Sequence, residues 1–118
     1  MSYKITRKNE PYTYEAPGHF KCLCTRLHDP KDVNDGKAIM GLTHFLPGGG
    51  CEFGNNAAES IYYILEGEMT LKTDTEETVL HAGDTFHCGG GTNKSVLNTG
   101  SVSTQMLVVL IPPQAPQA

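Results

Sequence analysis

Short apolar segments alternate with glycine-bearing turns along most of this chain, and that rhythm limits its fold more than any other feature. FKCLCTRLH (Phe20 to His28), AIMGLTHFL (Ala38 to Leu46), SIYYIL (Ser60 to Leu65), EMTLKT, TVLH, TFHC, SVLN and STQMLVVLI (Ser103 to Ile111) all read as strands. Pro47 and three glycines end the second of these. Glu66-Gly67 reads as a tight hairpin turn, and Gly83-Asp84 as a similar one. NNAAES (Asn55 to Ser60) is the one segment that could be helical, and it is too short to stand alone. Short strands at regular spacing with glycine turns predict an all-β sandwich or barrel.

A chain of 118 residues is long enough for one domain with a modest core, which pairing with a second copy would help. Its formal charge of −4 and its lack of any Lys or Arg run argue against a nucleic-acid or anionic-membrane surface. The longest apolar run, Met106 to Ile111, is far shorter than a bilayer span, and MSYKITRKNE lacks a signal peptide's apolar stretch. A soluble cytoplasmic protein is therefore expected. In that setting Cys22, Cys24, Cys51 and Cys88 are expected as free thiols, with Cys22 and Cys24 on one face of their strand. The expected organisation is an N-terminal arm with strands over 1–37, covering the barrel or a partner subunit, a barrel over 38–111, and a flexible Pro/Ala/Gln tail over 112–118.

The spacing inside two stretches is more specific. Gly48 is followed after five residues by Gly54, after one more by Asn56, after three by Ser60 and after six by Gly67. Gly83 is followed after five residues by Gly89, after one by Gly91, after two by Lys94 and after three by Asn98. With FLPGGG, YILEGE and AGDTF around them, these stretches resemble the two motifs of the cupin family. The resemblance covers about 38–111 and implies a cupin-type small β-barrel, also called a double-stranded β-helix or jelly roll. It also implies a homodimer. The family's metal ligands are two His, a Glu and a third His, and here those positions hold Gly54, Asn56, Ser60 and Lys94. None of the four is a good ligand for the metals that imidazole and carboxylate prefer. Glu59 falls one position from the family's Glu, on the opposite strand face unless a bulge intervenes. No metal and no other cofactor is carried over.

If the four motif positions face inward, strand alternation adds Glu52, Tyr62, Ile64, Val96 and Asn98 to the cavity wall, with Phe86 and Cys88 inward and His87 outward. Lys94, Glu52, Tyr62 and His44 are the candidate catalytic residues. Lys94 is read as a holder of a carboxylate or oxyanion, a general acid or base, or a Schiff-base former, or else as a relic that snorkels to the mouth or pairs with a glutamate. Glu52 or His44 is read as a base, and Tyr62 as an acid or orienter. His44 counts only if it points inward. Asn56, Ser60, Asn98 and Phe86 are the candidate ligand-binding residues. A metal-independent barrel binding a small carboxylate- or carbonyl-bearing molecule is expected, with isomerisation, elimination or hydration as its chemistry. The alternatives are a non-catalytic sensor barrel, or a metal enzyme with unusual ligands drawn from His44, Glu59, His87, Cys88 and Glu52.

Overall fold

The computed structural model describes residues 3–33 and 36–113. Of the expected tail, residues 114–118 lie outside the described residues. The strands are β1 (Tyr12–Tyr14), β2 (His19–His28), β3 (Ile39–Cys51), β4 (Glu59–Glu66), β5 (Glu68–Thr73), β6 (Glu77–His81), β7 (Thr85–Cys88), β8 (Lys94–Leu97) and β9 (Thr104–Ile111). They pair antiparallel in the order β6-β5-β8-β3-β9-β4-β7, with β2 added on β3 and β1 on β2. The expected all-β barrel is what forms. Among the described residues no helix is long and apolar enough to cross a membrane.

β3 joins the two halves of the barrel. Its first part, Ile39 to Phe45, lies between β2 and β9, whereas Gly50 pairs with Leu97 of β8. The strand does not end at Pro47, as its sequence suggests, but runs on through the glycines. Other backbone lies too close here for any side chain. A Cβ on Gly49 would stand 2.3 Å from the Lys21 carbonyl oxygen, and one on Gly50 would stand 2.1 Å from that of Val96. The glycines thus let one strand cross from sheet to sheet at a corner.

Gly67 also has a different task from the one its sequence suggests. It takes a φ of 84°, but no hairpin closes there. β4 pairs with β7 and β9, while β5 pairs with β6 and β8, so the chain changes sheets at Gly67. A glycine in the left-handed region suits either kind of turn, and the local sequence does not distinguish them. The NNAAES segment is not helical. Asn56 Oδ1 instead accepts the Ala58 N–H at 2.9 Å, the local bond by which asparagine favours turns over helices.

Alternation along the strands sets the core. In β4, Ser60, Tyr62 and Ile64 are buried while Ile61, Tyr63 and Leu65 are exposed. Phe45, Ile64 and Met69 are fully enclosed, and Leu71, Val96, Met106 and Tyr62 complete the cluster. That cluster fills one part of the barrel interior. The remainder is open, and it holds the site described next.

Candidate functional site

The barrel encloses a cavity of about 560 Å³, within the range of small-molecule sites. Cys24, Thr43, Val96, Met106 and Val108 supply much of its wall. Its polar groups include Tyr14, Arg26, Glu52, Asn56, Tyr62 and Lys94. Of these, Lys94, Glu52, Tyr62 and Asn56 were legible as candidates from the sequence, and the structure brings all four to one cavity.

Lys94 opens β8 and is tied through its backbone to Gly54. Gly54 N–H donates to the Lys94 carbonyl at 3.1 Å, and Lys94 N–H donates to the Gly54 carbonyl at 2.8 Å. This bridge joins the two motifs at the cavity wall. The Lys94 ammonium stands 5.4 Å from the centre of the Tyr62 ring, an arrangement favoured by the negative face of the ring. Tyr62 is itself held by Phe86, whose ring stacks on it at 4.3 Å and 15°. Among the described residues no carboxylate forms an ion pair with Lys94. It is half-buried and does not reach out to a glutamate. Its charge offsets part of the effect of burial on Cys88, whose thiol is nonetheless pushed up.

Glu52 sits exposed at the rim, its N–H donating to the Gly18 carbonyl at 2.8 Å. It is the one carboxylate in the cavity lining among the described residues.

The other candidates are placed elsewhere. Phe86 backs Tyr62 and does not line the cavity. Ser60 is buried within β4 opposite Cys88 and also lies outside the lining. Asn98 is fully buried, and its side chain is committed to the fold. It donates to the carbonyls of Phe45 and Val102 and accepts from Gly100 N–H. His44 points to the opposite side of β3, because Thr43 and Phe45 take the inward positions. It lines a separate cleft with Leu42, Gln105 and Thr6, Arg7 and Lys8 of the N-terminal arm, so it cannot serve as a base in the main cavity. Its Nδ1 is buried there without a hydrogen-bond partner among the described residues.

The family's metal does not fit this chain. Gly54 offers no donor, although a Cβ there would meet nothing within 4 Å. The Asn56 carbonyl oxygen is already bonded to the Ala58 N–H. Lys94 brings a cation where a ligand would be needed. Nor do the alternative donors converge. Glu59 and His87 pair with each other on the exposed face, Cys88 is buried, His44 is in the other cleft and Glu52 is at the rim. Among the described residues no three His, Cys, Asp or Glu side chains are grouped to hold a metal ion.

Reading from sequence missed Arg26 and Tyr14. Arg26 shares its strand face with Cys24, two residues before it, so its parity was available as a signal. A cation within an otherwise apolar inward row was the clue. The three neighbouring cysteines also interact. Burial, reinforced by Cys24 and Cys51, leaves the Cys22 thiol pushed up to about 12.

Comparison with known proteins agrees with this architecture. Residues 41–110 match the family described as Cupin domain. A Mycobacterium tuberculosis protein named a beta-D-galactosidase is 30% identical over 112 residues, covering 95% of this chain and 97% of that protein. The crystal structure of a predicted oxalate decarboxylase from Thermotoga maritima superposes with a TM-score of 0.80 at 23% identity, over 93% of this chain and 100% of that one. The polyketide cyclase RemF from Streptomyces resistomycificus gives 0.77 at 19% identity, over 98% and 83%. At those identities the two structures speak for the fold alone. The match over residues 41–110, on a barrel that carries both motifs in place, makes this chain a member of the cupin family.

Proposed function

We propose that the barrel binds a small organic molecule through a carboxylate or enolisable carbonyl held by Lys94, and performs acid/base chemistry on it without using a metal. One observation carries this reading. Lys94 presents an ammonium with no carboxylate partner among the described residues to a largely apolar cavity, at a position fixed by the Gly54 bridge and the Tyr62 ring. An ammonium there attracts an anion and stabilises an oxyanion as it develops. The Tyr62 hydroxyl is the neighbouring proton donor or orienter, and Glu52 at the rim is the candidate base. Isomerisation, elimination or hydration next to a carbonyl would suit such a set.

The test is a thermal-stabilisation screen of small carboxylates and 2-oxo acids, followed by proton NMR in deuterated water. Stabilisation by a 2-oxo acid, with loss of its signal next to the carbonyl, is expected for the native chain and not for Lys94→Met. Equal stabilisation of Lys94→Met would remove Lys94 from the role. Binding without exchange would make the protein a ligand-binding barrel instead.

The galactosidase name of the Mycobacterium tuberculosis relative favours a second reading, hydrolysis of a galactoside. Most glycosidases flank the scissile bond with two carboxyl groups. This cavity supplies Glu52 and no second carboxylate among the described residues. Release of nitrophenol from a nitrophenyl galactoside, abolished in Glu52→Gln, would establish that reading over the first.

The assembly we propose is a homodimer. Ile61, Tyr63 and Leu65 of β4 lie exposed on the outer sheet face, and the first two stand beside Val109 and Leu107 of β9 in register. A second copy would cover this apolar strip. Sedimentation of native protein at dimer mass, shifting to monomer in Tyr63→Glu, is the expected outcome.

A further inference from the structure

We infer that Arg26 is a second anion anchor, and that the cavity takes a small molecule with an acid group at each end, a dicarboxylate of the succinate-to-adipate class. This rests on the reading that Lys94 holds a carboxylate, and extends it from one end of the ligand to both.

Strand register sets Arg26 at one end of a row whose other end is Tyr62, the ring over which Lys94 stands. Arg26 of β2 pairs with Gly41 of β3, Gly41 pairs with Val108 of β9, and Val108 pairs with Tyr62 of β4. All four line the cavity. Three strand spacings separate Arg26 from Tyr62, about 14 Å along the sheet. Lys94 stands over Tyr62 at one end of the row, and Arg26 closes the other. Between them Gly41 has no side chain and that of Val108 is short, so the room in the middle of the row is shared only with the Tyr14 hydroxyl that reaches over Gly41. The long side chains of Arg26 and Lys94 close part of that span. The gap left suits a short carbon chain with two ends better than a single carboxylate.

Arg26 is also built to receive a ligand. Its guanidinium lies 4.5 Å above the Tyr14 ring, and its Nε is buried without a hydrogen-bond partner among the described residues. Among the described residues no carboxylate forms an ion pair with it. A buried N–H normally has a partner, and a guanidinium fork matches a carboxylate through two parallel bonds. Both cations of the cavity therefore share one design, each resting on a tyrosine ring that positions it without neutralising it. The Tyr14 hydroxyl adds a donor over the hollow, 3.8 Å from where a Cβ of Gly41 would lie. Glu52, the carboxylate of the lining, is exposed at the rim, where water screens it.

The experiment is calorimetric titration of native protein, Arg26→Lys, Arg26→Gln and Lys94→Met with butyrate, oxalate, succinate, glutarate and adipate. One of the three longer dicarboxylates is expected to bind native protein about tenfold or more tighter than butyrate, the worth of one added charge-assisted hydrogen-bonded contact. Oxalate, too short to reach both ends, is expected to gain nothing over butyrate. Arg26→Lys should shrink the preference for two acid groups, and Arg26→Gln should abolish it. Equal affinity of native protein for butyrate and all the dicarboxylates would overturn the two-anchor inference and leave the Lys94 reading intact. A dicarboxylate preference that survives in Arg26→Lys and Arg26→Gln would also overturn it. Unchanged binding in Lys94→Met would sink the Lys94 reading, and binding of none of the five would sink both. Native protein alone decides the first comparison, so the inference stays testable if Arg26→Gln fails to fold.

Discussion

Asn98 occupies a motif position that its sequence context presents as a ligand group, and its surroundings give it a different task that can be measured. Its Nδ2 donates to the Phe45 carbonyl at 3.1 Å and to the Val102 carbonyl at 2.8 Å, while its Oδ1 accepts from Gly100 N–H at 3.0 Å. These bonds tie the turn before β9 to the middle of β3. Asn98→Ala removes all three at a site only 1% exposed, where water does not readily replace them. At about 1 kcal/mol net per bond the loss is about 3 kcal/mol. Unfolding entropy of about 2.1 cal/mol/K per residue converts that loss to a fall in Tm of about 12 °C for a chain of this length.

Asn98→Asp sharpens the test. The new carboxylate oxygen would face two carbonyls, so the folded state favours the protonated acid and raises its pKa above the unfolded value. A raised folded pKa means that the stability is fully present below the unfolded pKa and is lost as pH rises through the folded one. Asn98→Asp should therefore melt closer to the native protein at pH 5 than at pH 8. Recovery stays incomplete, because a protonated carboxyl donates once where the amide donates twice. Calorimetric melts of both variants beside native protein at each pH provide the assay. A Tm of Asn98→Ala within about 3 °C of native, a quarter of the calculated loss, would refute the structural role. A pH-independent deficit in Asn98→Asp would show that the two carbonyls are not its neighbours.

The motif glycines should behave unequally. Gly50→Ala forces a Cβ to within 2.1 Å of a backbone oxygen and is expected not to fold stably, whereas Gly54→Ala meets nothing within 4 Å and should melt within about 1 °C of native. Equal losses in circular-dichroism melts would contradict the corner described for β3. Cys22, with its thiol pushed up to about 12, is expected to resist alkylation. At pH 8 very little of that thiol is in the reactive thiolate form. Peptide mass spectrometry after iodoacetamide treatment should find Cys22 modified far more slowly than in urea, with the rate rising as pH rises. Labelling of Cys22 at the rate of an exposed thiol would contradict its burial beside Cys24 and Cys51.

Strand content, barrel class and the inward row of β4 were legible because alternation is a local signal. Ser60, Tyr62 and Ile64 share a parity, and that parity is buried. The phase of β3 was not legible in the same way. AIMGLTHFL carries apolar groups on both faces, so nothing local says whether His44 or its neighbours Thr43 and Phe45 turn inward. Pairing with β2 and β9 decides it. The turn at Gly67 failed for a related reason, since its φ fits a hairpin or a crossing and the choice lies in which distant strands its flanks join. Asn98 was misread because its partners Phe45 and Gly100 meet it through the tertiary fold and a turn, not through strand spacing. Arg26 shares its parity with Cys24, but the two glycine motifs mark the other end of the row and do not point to it.

Lys94 occupies the place of a ligand, yet its surroundings argue against its being a relic. A lysine with no task would be expected to carry its ammonium to water or to a glutamate. Here it stays half-buried over Tyr62 with Glu52 in the same lining, and the two do not pair. In a metal-binding barrel the bound ion makes the cavity attractive to anions. On the proposed reading, Lys94 and Arg26, both in the lining of this barrel's cavity, would provide that attraction. That reading keeps the sign of the cavity while its carriers change, and the chemistry would change with them. An ammonium can hold an oxyanion or give it a proton, and a guanidinium can hold a carboxylate by its fork without exchanging one. On the proposed reading, Arg26 would orient the ligand and Lys94 would exchange its proton. Replacing Arg26 should therefore act mainly on substrate affinity, whereas replacing Lys94 should remove proton exchange even at saturating ligand.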